Sequence, residues 1–192
     1  MRTGFFAMLS RMKYINRWGL MRNSRSESLS EHTLDVAVIA HALAVIHNKR
    51  FGGAVDTAKV ALLALYHDAP EILTGDMPTP VKYLNDDIRS AYKHVEQIAA
   101  GRLLSMLPDD MQEEYTGLLL PDEASEELEL VKAADKLSAL IKCIEEEHAG
   151  NGEFKTAKQS TLCMLEENPL PEVKVFLEQF IPAYRCTLDE LS

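Results

Sequence analysis

Four side chains in this sequence have the chemistry and the setting to hold a cation: His32, His67, Asp68 and Asp135. Asp135 shares its helical face with Leu128, Val131, Ser138 and Ile141, at i−7, i−4, i+3 and i+6. A carboxylate on so apolar a face is costly to bury unless positive charge compensates it. Taken alone, it also reads as a salt-bridged or partly exposed aspartate. His67-Asp68 ends the still more apolar run Ala61-Leu62-Leu63-Ala64-Leu65-Tyr66. Neighbouring helical residues point about 100° apart, so both reach one point only if it lies off the helix end. An adjacent His-Asp pair alone fits a hydrogen-bonded core histidine equally well. His32, just after a helix start, alone fits a surface or core histidine.

Together the four supply two imidazole nitrogens and two carboxylates from three helices. That donor set suits borderline to hard divalent ions such as Mn, Co, Fe, Ni or Zn rather than thiolate-loving ones. Four protein ligands on a six-coordinate ion leave positions for water and substrate.

The order His…His-Asp…Asp resembles the HD-domain phosphohydrolases. Further segments resemble one branch of them: Phe5-Phe6-Ala7, Ile15-Asn16-Arg17-Trp18, Met21-Arg22-Asn23, Ser30-Glu31-His32 and Phe51-Gly52-Gly53. So do Tyr66-His67-Asp68-Ala69, Leu73-Thr74-Gly75-Asp76 and Pro78-Thr79-Pro80-Val81-Lys82-Tyr83. That branch is the bacterial 5′-deoxynucleotidases, which hydrolyse deoxyribonucleoside 5′-monophosphates to deoxynucleoside and phosphate. The similarity reaches the closing Thr187-Leu188-Asp189-Glu190 and covers essentially the whole chain.

The resemblance implies an all-α HD-domain helical bundle, one domain over residues 1–192, with one divalent metal ion (Co, Mn or Cu). It implies His32, His67, Asp68 and Asp135 as metal ligands and Glu71 as the residue that orients or deprotonates the attacking water. Arg17 matches the arginine that orients the phosphate, and Trp18 the residue beside the sugar. Asp76, Met77, Pro78 and Thr79 match a substrate-contacting loop, and His32 and Asp68 also adjoin the substrate. A homodimer in the cytoplasm is implied in the same way. One departure is Pro70, where a small polar residue is expected. Proline suits the first position of a new helix but biases Ala69 away from helix, so it bears on where Glu71 points.

Two other functions compete. An HD-domain enzyme for a nucleoside triphosphate or cyclic dinucleotide would share the metal but not the Arg-Trp and Thr-Gly-Asp segments. A non-catalytic metal- or nucleotide-binding regulator is expected to lack Glu71 or Arg17, and this chain has both.

The elements that position these residues read as helices, with no convincing period-2 alternation. Phe5, Phe6, Leu9, Met12 and Ile15 suggest a first helix. Ser28 and Glu31 form an S-x-x-E capping box ahead of a helix to about residue 47, with Val36, Ile39, Leu43 and Ile46 inward. Asp56 is the expected N-cap of the helix that leads to His67. Residues 74–80 read as irregular and 88–106 as a long amphipathic helix. A short helix starts at Pro108-Asp109, and a long one at Pro121-Asp122 reaches about residue 148. Two C-terminal helices, roughly 153–166 and 172–180, follow Asn151-Gly152.

The composition limits the partners. Of a net charge of −10, residues 1–26 carry six basic side chains (Arg2, Arg11, Lys13, Arg17, Arg22, Arg25) and no acidic one, leaving −16 on the rest. So acidic a body repels nucleic-acid polymer and anionic membrane, while a local basic patch suits a small anion. A basic, acid-free start also resembles a transit peptide, although the segment looks like part of the site. Cys143, Cys163 and Cys186 are far apart and read as buried, reduced thiols. The apolar stretch 36–46, interrupted by His41, is short for a bilayer. Lys82 is placed to meet a phosphate or simply to be solvated. His41, His47, His94 and His148 read as surface or core residues.

Overall fold

A computed structural model of the chain describes residues 3–82 and 84–191. Arg2 of the basic stretch and Tyr83 of the proline-rich segment lie outside the described residues. Among the described residues ten α-helices follow one another: α1 Phe5–Leu9, α2 Leu29–Arg50, α3 Thr57–Tyr66, α4 Glu71–Thr74, α5 Thr79–Lys82, α6 Asp86–Leu104, α7 Asp109–Leu119, α8 Glu126–His148, α9 Lys155–Glu166 and α10 Pro171–Gln179. Among the described residues there is no strand, only an isolated antiparallel bridge between Asn16 and Ser28. The bundle is all-α, as the sequence predicts.

Local signals explain the starts. The Ser28 hydroxyl accepts from the Glu31 N–H, and the Glu31 carboxylate returns to the Ser28 N–H at 2.8 Å, satisfying two orphan donors of α2. Asp56 accepts from the Ala58 and Lys59 N–H groups and caps α3. The long helix α8 starts at an Ser125 cap rather than at Pro121. Asp122 instead closes a turn by accepting from Ala124. Residues 5–14 do not form one α-helix: after Leu9 the chain tightens into a 3₁₀ segment over Ser10–Tyr14.

Two apolar clusters carry the packing. Val36 and Leu43 of α2, Val60 and Leu63 of α3, and Leu137 and Leu140 of α8 form the main one, closed by Val173 and Phe176 of α10. Phe5, Ala69, Leu103, Leu107 and Leu119 form the second, between α1, α6 and α7. The chain passes from one to the other between Leu63 and Ala69, so His67-Asp68 sits at the seam. Helix α2 is long and apolar enough by composition to cross a bilayer, exceeding the stretch 36–46, but 56% of its most apolar window is buried in the protein. It serves as the central helix of the main cluster. Of the cysteines only Cys143 is buried; Cys163 and Cys186 are exposed, correcting the expectation for them, and none is disulfide-bonded.

Candidate active site

Helices α2, α3 and α8 deliver the four expected cation ligands to one place. His32 is fully buried, and its Nε2 lies 3.2 Å from Oδ1 of Asp135 and 3.4 Å from Oδ2 of Asp68. His67 Nε2 lies 3.1 Å from the same Asp68 oxygen. One ligand atom each from His32, His67 and Asp135 falls within 4.8 Å of the others. The Nε2 atoms of both histidines are buried without a hydrogen-bond partner, which is rare for polar atoms unless another group meets them. Their opposite nitrogens are engaged: His67 Nδ1 meets the Ala64 carbonyl at 2.7 Å, and His32 Nδ1 meets the Ser138 hydroxyl at 3.2 Å. Such outer partners orient an imidazole toward a metal. The donor set and the two orphaned nitrogens fit a divalent cation.

The electrostatics show the same demand for positive charge. Burial works against the proton on His67, but Asp68 and then Asp135 outweigh it and raise the group to about 9. Burial raises Asp68 and Asp135, yet the histidines beside both, and Lys136 beside Asp135, hold both carboxyls well below the usual range.

Helix α3 stops at Tyr66, and His67 to Pro70 form a turn before α4. Pro70 takes a helical conformation, φ −57°, and leads into α4, so it does not turn Glu71 away. Glu71 is 7% exposed, its Oε2 has no partner, and it lines the same cleft as His67, Asp68 and Asp135. Burial, then the charges of Asp68 and Asp76, push its carboxyl up to about 9, although Lys82 and Arg17 pull the other way. The cleft holds about 500 Å³, with Lys82 and Lys132 also in its wall. Lys82 is paired with Glu96 at 2.9 Å rather than free in solvent.

Arg17 enters from the loop before α2. Its Nη1 donates to Glu27 Oε2 at 3.0 Å and to His32 Nδ1 at 2.7 Å, and its Nη2 lies 3.8 Å from Asp135. Trp18 follows with φ +60°, a left-handed conformation that costs about 1–3 kcal/mol in a bulky residue. Its indole N–H donates to the same Glu27 oxygen at 2.8 Å, and its ring packs edge-on against Phe154 at 5.3 Å. Glu27 is a site residue that sequence reasoning missed. It is 9% exposed and holds both members of the Arg-Trp pair. No helical period links it to the site; the Asn16–Ser28 bridge brings it there.

The remaining expected residues divide. Burial raises the Asp76 carboxyl above its usual range, with Asp68 adding to the rise and Arg17 and a hydrogen bond from the Trp18 backbone opposing it. Met77, Pro78 and Thr79 make no hydrogen bond or ion pair to the cluster among the described residues. The basic stretch also separates: Arg22 pairs with Glu153 and Arg25 with Glu31, while Arg17 alone of the described basic residues there reaches the site.

A family model described as 5′-deoxynucleotidase YfbR-like matches residues 4–184. A 5′-deoxynucleotidase of Shewanella oneidensis is 50% identical over 188 residues, 97% of this chain and 96% of that protein. The 5′-deoxynucleotidase YfbR of Escherichia coli is 51% identical over 191 residues, 98% of this chain and 95% of that protein. In structure the chain resembles an HD-domain phosphohydrolase from Listeria innocua, with a TM-score of 0.82 and 26% identity, covering 94% of this chain and 87% of that one. With a matching family model over nearly its whole length and relatives at half identity, this chain belongs to the 5′-deoxynucleotidase YfbR-like family.

Proposed function

We infer that the protein is a metal-dependent phosphomonoester hydrolase that cleaves deoxyribonucleoside 5′-monophosphates to deoxynucleoside and phosphate. The observation that carries this is the convergence of two orphaned imidazole nitrogens, two half-buried carboxylates and an arginine fork, with an unpartnered glutamate in the cleft that His67, Asp68 and Asp135 line. His32, His67, Asp68 and Asp135 would hold the metal, which when bound polarises a phosphoryl oxygen and acidifies water.

The chain's own groups supply the rest. Glu71 would orient the attacking water and take its proton; its raised proton affinity is what a general base needs once a nearby cation draws it toward working pH. Arg17 would grip the phosphate with a planar two-point fork, which lysine cannot reproduce. Were His32 Nε2 a metal ligand, its Nδ1 would carry the proton and donate to Ser138, and Arg17 would give up that imidazole while its ion pair with Glu27 would remain. Trp18, fixed by Glu27 and Phe154, would wall the sugar where a 2′-hydroxyl needs room. The loop of Asp76, Met77, Pro78 and Thr79 would close over substrate, with Asp76 beside Trp18.

Further parts of the same reading rest on the family resemblance: Co, Mn or Cu as the metal, a single HD domain over residues 1–192, a homodimer and a cytoplasmic location. The experiment is phosphate release from a panel of nucleoside monophosphates, with added Mn²⁺ and with chelator. Release from 5′-deoxynucleotides that needs metal is the expected result. Release only from ribonucleotides or 3′-monophosphates, or release indifferent to chelator, would contradict it.

A further inference from the structure

Helix α8 carries a polar stripe through an otherwise apolar face. Asp135, Ser138, Lys142 and Glu146 follow at i, i+3, i+7 and i+11, so they lie on one side. The first two belong to the cation cluster. Lys142 and Glu146 lie beyond it, 6% and 1% exposed, paired at 2.5 Å. An ion pair in such a place is poor evidence of a stabilising role, because apolar side chains fill the space as well. What sets this pair apart is where its remaining hydrogen bonds go.

They go to the loop that carries Arg17 and Trp18. Glu146 Oε2 accepts from the Ser24 N–H at 2.8 Å, and Lys142 Nζ donates to the Arg25 carbonyl at 2.7 Å. Asn151 Nδ2 bridges Glu146 Oε2 and the Arg22 carbonyl, each at 2.7 Å. Asn23 then reaches back to the Trp18 and Met21 carbonyls. A second path runs through rings: Lys142 Nζ stands over Phe154, and Phe154 meets Trp18. The neck of the loop is closed by Leu29 N–H to Ile15 O and Arg17 N–H to Glu27 O. Without the far tether a turn whose Trp18 is in a strained conformation would keep that neck, the contacts of Arg17 and Trp18, and the exposed Arg22–Glu153 and Arg25–Glu31 pairs. Burial raises the Glu146 carboxyl, but hydrogen bonds from Lys142, Ser24 and Asn151 outweigh it and hold it well below its usual range.

We propose that the buried Lys142–Glu146 pair is a positioning element that clamps the 22–25 segment to α8 and so sets Arg17 and Trp18 against the cation cluster. Neither residue touches substrate. The same helix then positions Asp135 from its middle and the Arg17–Trp18 turn from its C-terminal part. This rests on the role given above to Arg17 and Trp18.

Trp18 is the only tryptophan of the chain, so its emission reports on the turn without any assay of activity. The double variant Lys142→Met/Glu146→Leu removes both charges and keeps apolar bulk, and Asn151→Ala cuts one tether from the surface without opening the core. In the double variant KM for dAMP should rise about tenfold or more while kcat stays within about threefold, with Mn²⁺ stoichiometry unchanged. Trp18 emission should shift to the red and become easier to quench with acrylamide. Asn151→Ala should move both readouts the same way by less, and it decides the matter if the double variant does not fold. Wild-type KM together with wild-type Trp18 emission in folded, metal-loaded variants would overturn the proposal. If the wild type cleaves no deoxynucleotide, the reading of the site fails, while the emission of Trp18 still decides whether the pair sets the turn.

Discussion

The cation cluster and the Arg17–Trp18 loop touch where Arg17 meets His32 and Asp135 but are held by different physics. His32, His67 and Asp135 stand on or beside helices whose other faces are packed into the main apolar cluster. Their positions follow from side-chain volume, which dense packing enforces over the whole bundle. Residues 15–28 contain no α-helix and bury only part of the Trp18 ring. Their course is set by named polar contacts: Glu27 to Arg17 and Trp18, Glu146 to Ser24, Lys142 to Arg25. A packed region tolerates a loss of shape at a cost in stability, whereas a tethered one loses geometry as soon as a tether is cut. The two regions should therefore fail differently under mutation.

The largest effect is expected on the packed side. Asp68→Ala removes a carboxylate that touches both histidine nitrogens, and turnover should fall below detection. Measured phosphate release at a wild-type rate would remove Asp68 from the site. Next comes Glu71→Ala, for which kcat should drop roughly 10²–10⁴-fold with metal content unchanged. If kcat is retained, the proton is taken by another group.

On the tethered side the expected effects are smaller and fall on selectivity. A 2′-hydroxyl left without a partner in a dry pocket costs about 1–3 kcal/mol, roughly ten- to hundredfold in kcat/KM. Trp18→Ala should narrow the ratio of dAMP to AMP cleavage, and Arg17→Ala should lower both. An unchanged ratio in Trp18→Ala clears that residue of the role. Leu43→Ala, by contrast, opens a hole in the main cluster and should cost about 2–5 kcal/mol in chemical denaturation. The kinetic constants of the protein still folded should stay those of the wild type. A change in sugar selectivity in that variant would erase the distinction between the regions.

The smallest effect concerns pH. Glu146 is depressed in the folded protein, so its contribution to stability is present above its ordinary pKa of 4.5 and is lost as pH falls below it. Thermal melting of Glu146→Gln should therefore lose less between pH 5 and 3 than the wild type, by about the share of one carboxylate. Parallel melting curves would mean that the carboxylate is not stabilised by folding.

The same difference explains what the sequence made legible. The bundle, the Ser28–Glu31 box and the Asp56 cap follow from helical spacing, apolar runs and cap chemistry, whereas His32, His67, Asp68 and Asp135 as one ligand set come from the family resemblance. Glu27 does not, because it reaches the site through a single backbone bridge that no periodicity announces. Lys142 and Glu146 look in sequence like charges near the end of a solvated helix, and only the loop laid across them makes them buried. Asn151 reads as a helix stop, yet its amide joins Arg22 to Glu146. The 3₁₀ turn after Leu9 and the exposure of Cys163 and Cys186 were equally hidden, since both depend on how neighbouring elements pack rather than on local residue type. Pro70 was ambiguous for a local reason: a proline can end one helix or begin the next, and here it does both within four residues of Tyr66.

The most direct test of the account is calorimetric titration of Mn²⁺ into the wild type, Asp135→Ala and Arg17→Ala. The division drawn here predicts one strong site in the wild type, a comparable site in Arg17→Ala, and its loss in Asp135→Ala. Arg17→Ala losing the site as completely as Asp135→Ala, or Asp135→Ala keeping wild-type affinity, would contradict it.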